Sequence, residues 1–325
     1  MTPLRRSAAV ALALLVLTSM VVAGLGLTGR LPSRVTGAAG PAPSPVQPLD
    51  PPAVEAPPVL TVEEGPPGAP PQLPEAALDA VLTSGALGPE PGAVVLDVTT
   101  GATLLDRTGD APRTPASVAK LATAAAALHG LGPDHRLETR VVEGEAPGEV
   151  VLVGGGDATL TSRRPRGDDY PRTASLVELA DATAAALRGA GPTGVTVRVD
   201  DSLFSGSAVS PDWPASYVGS GEVAPVGALS VDAGRVRPSV NERVADPAVA
   251  AGTELARLLA ARGVSVEGEV TRAPVPAGAP ALASVSSPPV AALVERMLSA
   301  SDDDLAESLL RLVAVSQGRP GSFAE

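Results

Sequence analysis

The chain has 325 residues, which is enough for about two domains. Its formal net charge of −12 argues against binding to nucleic acid, which normally draws a basic face, and against electrostatic attraction to an anionic membrane. The absence of cysteine excludes disulfides and zinc ribbons, and with two histidines a transition-metal site is not expected. No bound cofactor is indicated.

The N-terminal residues 1–30 have the composition of an export signal. Arg5 and Arg6 precede an uncharged run at residues 8–27, which is just long enough to span a bilayer as one helix. A cleaved signal peptide shares this pattern, but no clear cleavage site of small residues follows, so an uncleaved anchor is favoured. Basic residues before the span keep that end inside. Both interpretations predict a protein that works outside the cytoplasm, anchored to the membrane or secreted to the cell wall.

Residues 31–74 form a proline-rich segment with 14 prolines. Proline lacks a backbone N–H and has a fixed φ, so this density excludes regular helix and sheet. The segment is either a semi-rigid spacer or a disordered tail.

The folded part is predicted to begin near residue 75. Strands are expected at residues 92–98, 102–106, 149–153 and 195–199 and near 264–270. Helices are expected at residues 75–84, 121–129, 174–189, 247–262, 289–298 and 304–315, the last two separated by a polar loop at 299–303. Because strands and helices are mixed without regular β-α-β alternation, the predicted class is α+β.

Lys120 is the only lysine among 24 basic residues, and Ser117 lies three residues before it. Arginine stays protonated in proteins, whereas a partly buried lysine can lose its proton near neutral pH and act as a base. Residues three apart on a helix share a face, so the pair has the arrangement of a nucleophile and its proton acceptor. Ser117 is predicted to lie in the first turn of the helix, where the dipole favours negative charge.

A second candidate element is Ser301-Asp302-Asp303, in the polar loop between the last two helices. An S-x-x-K motif followed by S-D-N and K-T-G is the signature of serine enzymes that react with penicillin. The alternative is that Ser301 simply caps the last helix and the acids complement its N-terminus.

Four ordered stretches resemble the D-alanyl-D-alanine carboxypeptidase/endopeptidase family of serine penicillin-binding proteins, whose members carry an insertion within the catalytic domain. The stretches are PASVAKL at 115–121, GGGDATL at 154–160, DSLF at 201–204 with Trp213 and APVGAL at 224–229, and SDDDLAE at 301–307. The resemblance covers the chain from about residue 75 to its end. It implies a β-lactamase/DD-peptidase-like catalytic domain, incomplete here, with an inserted mixed α/β region.

The implied organisation is an anchor or signal at 1–30, a linker at 31–74 and the first part of the catalytic domain at 75–145. An inserted region follows at 146–285, where Trp213 and Tyr217 are expected to pack, and the catalytic domain continues at 286–325. The implied activity is serine-type cleavage of D-Ala–D-Ala in peptidoglycan stem peptides through an acyl-enzyme, with β-lactams as ligands. Ser117, Lys120 and Ser301 would be catalytic, and Asp303 would contact substrate.

Two departures from the family pattern keep an alternative open. Asp303 stands where the family has Asn; a carboxylate only accepts hydrogen bonds, and beside Lys120 it favours the protonated amine. Nothing resembling K-T-G follows Ser301, so the sequence is interpreted as C-terminally truncated. The alternative is a degenerate protein that binds peptidoglycan without catalysis. A β-lactamase is disfavoured, because 184 residues separate Ser117 from Ser301 and fit an insertion.

Overall fold

The computed structural model describes residues 73–98, 100–190 and 194–324, and it divides between Asp110 and Ala111 into two compact units. The predicted membrane span at residues 8–27 and nearly all of the predicted linker at 31–74 lie outside these residues. Within the described part of the chain, no helix combines the length and the apolar character needed to cross a membrane.

The first unit consists of one helix and one antiparallel hairpin: α1 (Glu75–Leu82), β1 (Ala93–Leu96) and β2 (Thr103–Arg107). The turn between the strands is closed by the Asp97 carboxylate, whose Oδ1 accepts a hydrogen bond from the Thr100 amide at 2.8 Å. The helix is joined to the hairpin by an ion pair, since Arg107 Nη1 lies 2.7 Å from Asp79 Oδ1. These elements confirm the predicted helix and both predicted strands.

The second unit contains a five-stranded mixed sheet with the order β6-β5-β4-β3-β7. Its strands are β3 (Glu138–Glu143), β4 (Glu149–Val153), β5 (Thr196–Asp200), β6 (Thr271–Arg272) and β7 (Ala281–Ser286). Strand β3, between β4 and β7, runs antiparallel to both, whereas β4, β5 and β6 run parallel to one another. Parallel neighbours need crossover connections, and helices supply them here.

Two helices make these crossovers: α3 (Leu176–Ala190) leads from β4 to β5, and α5 (Pro247–Ala260) lies between β5 and β6. Both pack against the sheet and against each other. The chain therefore contains two consecutive parallel β-α-β units. The sequence predicted strands and helices in this order but did not identify them as β-α-β units, because the parallel pairing of the strands is not a local property.

The core between the sheet and these helices is built from alanine, valine and leucine, as the scarcity of aromatic residues requires. Val199 on β5 and Leu255 and Leu259 on α5 are all fully buried. Gly252 allows this contact, because a Cβ placed there would lie 2.5 Å from Val199 Cγ1. A helix that approaches a strand this closely needs glycine at the crossing point.

A second apolar layer holds three further helices together: α2 (Lys120–Gly130), α6 (Val290–Ala300) and α7 (Asp303–Ser316). Ala124 and Ala127 of α2 are buried against them, and small side chains let these helix axes come close. The segment after β5 contributes Phe204, Val226 and Ala228 to the same cluster. A short helix, α4 (Ser216–Ser220), also lies in that segment.

The glycine run at 154–156 allows three backbone segments to approach one another closely. A Cβ at Gly154 would lie 2.4 Å from Ala228 O, and one at Gly155 would lie 2.1 Å from Glu138 O. Gly156 has φ +82° and its N–H donates to Ala228 O at 2.8 Å. The run has no regular secondary structure, and its close contacts with Ala228 hold residues 224–229 in place.

Most predicted elements of the second unit are present within a few residues of their expected bounds, but three predictions were incomplete. Strands β3 and β7 were not predicted, although β3 is an interior strand of the sheet. The strand expected near 264–270 is reduced to a single bridge between Val195 and Val266, and β6 follows it. The predicted domain boundary at 145 runs between β3 and β4; that division stays a prediction.

Candidate active site

Ser117 lies in a single 3₁₀ turn, Ala116–Ala119, that leads directly into α2. The sequence placed it in the first turn of the α-helix; the turn is tighter than that and comes just before the helix. The preceding residue, Ala116, has φ +46°, an uncommon conformation for a residue with a Cβ. Such strain collects at functional sites because the surrounding structure must hold it in place. Ser117 is exposed to solvent.

Lys120 is the first residue of α2, and it is only 8% exposed. Its ammonium nitrogen donates a short hydrogen bond to Oδ1 of Asp303, whose side chain is 53% exposed. The pair joins positions 183 residues apart in the chain. Lys120 is therefore more deeply buried than the partly buried lysine that the sequence suggested, and its amine is held by a carboxylate.

Ser301 ends α6 in the left-handed conformation, with φ +52°. The next residue, Asp302, caps α7, because its Oδ1 accepts a hydrogen bond from the Leu305 amide at 3.0 Å. The capping alternative for Ser301 is therefore wrong: the cap is Asp302, and the Ser301 hydroxyl is available for other contacts. The predicted polar loop at 299–303 is also shorter than expected, since only Ser301 and Asp302 separate the two helices.

The two elements meet through their side chains. Ser117 Oγ lies 2.5 Å from Ser301 Oγ, so one hydroxyl donates to the other. In the described part of the chain, the side chains of Ser117 and Lys120 bond to Ser301 and Asp303 respectively and make no hydrogen bond to each other; only the Lys120 backbone N–H donates to Ser117 O. The structure thus brings together all four site residues that the sequence predicted, as one hydroxyl pair beside one amine–carboxylate pair.

Three of the four, Ser117, Lys120 and Asp303, line a cavity of about 510 Å³. Trp213, Tyr217, Glu222 and Val223 also line it, and they are named the 213–223 wall below. Trp213 and Tyr217 were expected to pack within the inserted region. Instead both face this cavity, and Trp213 also packs edge-on against Phe323, with ring centroids 5.1 Å apart.

Glu307 is a second carboxyl group that lines the cavity, one helical turn after Asp303. Burial raises the pKa of Glu307, and the nearby charge of Asp303 raises it further, while Arg311 and Lys120 act in the opposite direction. With Glu222, the cavity is therefore lined by one amine and three carboxyl groups, together with the Ser117 hydroxyl. This arrangement can deprotonate a serine and pass a proton across the cavity.

Sequence reasoning quoted Glu307 only as part of a motif and did not identify Glu222 or Arg243 at all. Arg243 forms a buried ion pair with Asp304, next to Asp303, and it bonds to the backbone of the 213–223 wall. The only available signal was the repeated acid in Asp302-Asp303-Asp304, which does not reveal its partners. Contacts between residues 61 positions apart depend on the folded path.

Comparison with known proteins gives the arrangement its family. A model of the D-Ala-D-Ala carboxypeptidase 3 (S13) family matches residues 74–243 and 239–325. The chain belongs to the D-Ala-D-Ala carboxypeptidase 3 (S13) family. It is 40% identical over 254 residues to carboxypeptidase Rv3627c of Mycobacterium tuberculosis, covering 77% of this chain and 53% of that protein. It is 38% identical over 320 residues to carboxypeptidase DacB of Mycolicibacterium smegmatis, covering 97% and 66%.

The S13 fold is also found among solved structures. Penicillin binding protein 4 of Haemophilus influenzae matches with a TM-score of 0.55 and 20% identity, over 72% of this chain and 64% of that one. The same protein in complex with a β-lactam matches with a TM-score of 0.52 and 19% identity. The chain spans between half and two thirds of the length of the curated S13 relatives that it matches.

Proposed function

We propose that this chain carries the acylation centre of a serine-type D-alanyl-D-alanine carboxypeptidase/endopeptidase. Its substrates would be the stem peptides of peptidoglycan, and β-lactams would acylate the same serine. The observation that carries the proposal is the meeting of Ser117 with Ser301, and of Lys120 with Asp303, at the edge of one cavity.

Membership of the S13 family supports this chemistry. The two mycobacterial relatives are named as carboxypeptidases, and the related fold of the Haemophilus protein has been seen with a β-lactam bound. The cavity volume suits a peptide end or a β-lactam, since ligand pockets are typically about 300–1,000 Å³.

In the proposed acylation, Ser117 Oγ attacks the carbonyl carbon between the two D-alanine residues. The Lys120 ammonium first gives a proton to the Asp303 carboxylate, which ends the ion pair, and the resulting neutral amine accepts the hydroxyl proton of Ser117. The position of Ser117 just before α2 favours the developing negative charge, because the helix N-terminus is electropositive. Strain at Ala116 would keep the hydroxyl directed at the cavity.

Collapse of the tetrahedral intermediate breaks the C–N bond and releases D-alanine. The leaving nitrogen takes a proton through Ser301, whose Oγ lies 2.5 Å from Ser117 Oγ. Asp303 occupies the position beside the lysine and would contact the substrate. Water then attacks the ester on Ser117, which releases the shortened peptide and returns the proton to the serine.

We also propose that the protein works outside the cytoplasm, anchored to the membrane or secreted to the cell wall. The support is the uncharged run at residues 8–27 behind Arg5 and Arg6. Peptidoglycan lies on that side of the membrane. Fractionation of cells that make the chain, with and without residues 1–30, tests this location directly.

Covalent labelling tests the acylation centre. The full chain is incubated with benzylpenicillin, and its intact mass is measured before and after digestion to map the modified residue. We expect one adduct, on Ser117. Ser117→Ala should lose it completely, whereas Ser299→Ala, which removes an exposed serine hydroxyl that donates to Arg296 O, should label like the wild type.

A folded wild-type chain that forms no adduct would refute the catalytic proposal. If that chain still bound purified peptidoglycan, the non-catalytic alternative would replace it. Labelling that persists in Ser117→Ala would assign the nucleophile to another residue.

A further inference from the structure

A buried ion pair lies behind the 213–223 wall of the cavity. Arg243 Nη1 lies 3.0 Å from Asp304 Oδ2, and the two side chains are only 2% and 11% exposed. The other oxygen of Asp304 accepts a hydrogen bond from the Ala224 amide at 2.7 Å. Burial raises the pKa of Asp304, and the hydrogen bond from Ala224 and the charge of Arg243 oppose that rise.

The same guanidinium also holds the backbone at the end of the wall. Arg243 Nε and Nη2 donate to Gly221 O at 3.1 and 3.0 Å, and Nη1 donates to Ala233 O. A guanidinium presents five N–H donors in a rigid plane, so one side chain can bond to several groups at fixed angles. Lysine has no such geometry.

The chain around Arg243 is also packed directly onto the wall. Gly221 has φ +79°, and a Cβ built on it would lie 2.2 Å from Asn241 O. Residues 241–243 therefore cross the backbone at the point where α4 ends and the wall continues to Glu222. Only glycine is accommodated at this crossing.

Arg243 consequently connects two parts of the cavity. On one side it bonds to the backbone that carries Glu222 and Val223, which line the cavity. On the other side it pairs with Asp304, which adjoins Asp303, the partner of Lys120. Removing one partner of a buried ion pair usually lowers the free energy of unfolding by more than the intact pair contributes to it. Apolar residues can often replace both partners without loss of stability. Stability alone therefore gives no reason for charged groups at this place.

We propose that Arg243 is a positioning residue: with Asp304 it holds the 213–223 wall at a set distance from Ser117 and so determines how well ligands that reach the wall are bound. This rests on the proposed function only in taking the cavity as the substrate site. Arg243 itself touches no ligand, because its side chain is buried behind the wall.

The test compares two β-lactams in the full chain. The unsubstituted penicillin nucleus, 6-aminopenicillanic acid, engages the Ser117 end of the cavity. A penicillin that carries a stem-peptide side chain also reaches the wall. We expect Arg243→Met to lower the second-order acylation rate of the substituted penicillin by roughly 10- to 100-fold and to leave that of the nucleus nearly unchanged. Arg198→Met is the matched control, since Arg198 pairs with Glu149 on the sheet, away from the cavity.

Two further variants separate positioning from simple stability. Arg243→Lys keeps a positive charge for Asp304 but lacks the planar set of donors that bonds to Asp304 and to two carbonyls together. The ratio of the acylation rates of the two penicillins should therefore lie between those of Arg243→Met and the wild type. The double variant Arg243→Met/Asp304→Leu has no unpaired buried carboxylate, so its Tm should return towards that of the wild type. The substituted penicillin should still react slowly with it. If rate and Tm recover together in the double variant, Arg243 is merely structural and the proposal is overturned.

Trp213 supplies a readout that does not depend on catalysis, because it is the only tryptophan in the chain and it belongs to the wall. Arg243→Met should increase quenching of Trp213 fluorescence by acrylamide, and Arg198→Met should not. If the wild type reacts with neither penicillin, the proposed function fails, yet quenching still decides whether Arg243 holds the wall. Unchanged quenching in a folded Arg243→Met variant would overturn the positioning role.

Discussion

Two ion pairs form at the first turn of α7, and each takes its cation from a different region of the molecule. The pairs differ in the type of cation and in the exposure of the acid. The turn before α2 contributes Lys120, which bonds to Asp303, a residue with a half-exposed side chain. The segment behind the 213–223 wall contributes Arg243, which bonds to Asp304 out of contact with water. Both acids lie at a helix N-terminus, where negative charge is favoured.

The difference follows from the chemistry of the two cations. An ion pair open to water is weak and can separate, which suits an amine that must take up a proton. A buried guanidinium remains protonated and makes several directed bonds, which suits a group that must not move. We infer that the chain uses its one lysine where charge must change and arginine where charge must stay.

The largest expected effect comes from exchanging the cation in the first pair. Lys120→Arg keeps the positive charge beside Asp303 but cannot act as a base, so acylation of Ser117 by benzylpenicillin should fall by roughly 10²- to 10⁴-fold. Tm should change little, because the pair is partly exposed. Stopped-flow or gel-based labelling rates provide the measurement, and retained activity would remove Lys120 from its proposed role.

The next effect concerns stability at the buried pair. Asp304→Asn leaves Arg243 buried without a counter-charge, and the free energy of unfolding should fall by about 3–5 kcal/mol. Urea denaturation followed by Trp213 fluorescence measures this. A loss as small as that of an exposed pair would show that water reaches Arg243 and would weaken the contrast between the two regions.

Asp303→Asn should have the opposite profile, with a small change in stability and a gain in rate. Because the Asp303 side chain is 53% exposed, removing its charge should cost less stability than the same change at Asp304. Removing the carboxylate frees the Lys120 amine and supplies an amide that can donate to the ligand, so we expect acylation to rise by roughly tenfold. Labelling rates of the two chains, compared at one pH, decide the point; no gain would favour the non-catalytic alternative.

The smallest effect is a pH dependence from Glu307. Its pKa is raised above the ordinary 4.5 in the folded chain, so the native state holds this proton to higher pH than the unfolded chain does. Stability should therefore decrease as pH rises through this range, and Glu307→Gln should remove that slope, a change below about 1 kcal/mol. Tm of both chains between pH 4 and 8 shows it. Parallel curves would mean that Glu307 titrates alike in both states.

The sequence predicted the site better than it predicted the sheet around it. Ser117, Lys120, Ser301 and Asp303 were identified from two short motifs, because spacing on a helix and the unique lysine are local properties. Strands β3 and β7 were missed, although β3 is an interior strand of the sheet. Their pairing is determined by partners more than a hundred positions apart, and no local pattern records it.

Particular residues show where local reasoning ended. Trp213 and Tyr217 were expected to pack inside the inserted region, and they line the cavity because the chain after β5 turns back across α2 and α7. Ser301 was left as a possible cap, and the structure assigns that task to Asp302. In each case the path of the folded backbone determines which of several neighbouring residues makes the contact.

The amino-acid sequence by itself determined the helices, most strands, the serine–lysine pair and the second serine, since residue chemistry and periodicity act over a few positions. Only the tertiary structure decided that the two serines touch, that the wall faces them, and that Asp303 and Asp304 serve different cations. Those facts depend on contacts between residues 61 to 184 positions apart. Such contacts arise from packing of the whole core, which no single segment encodes.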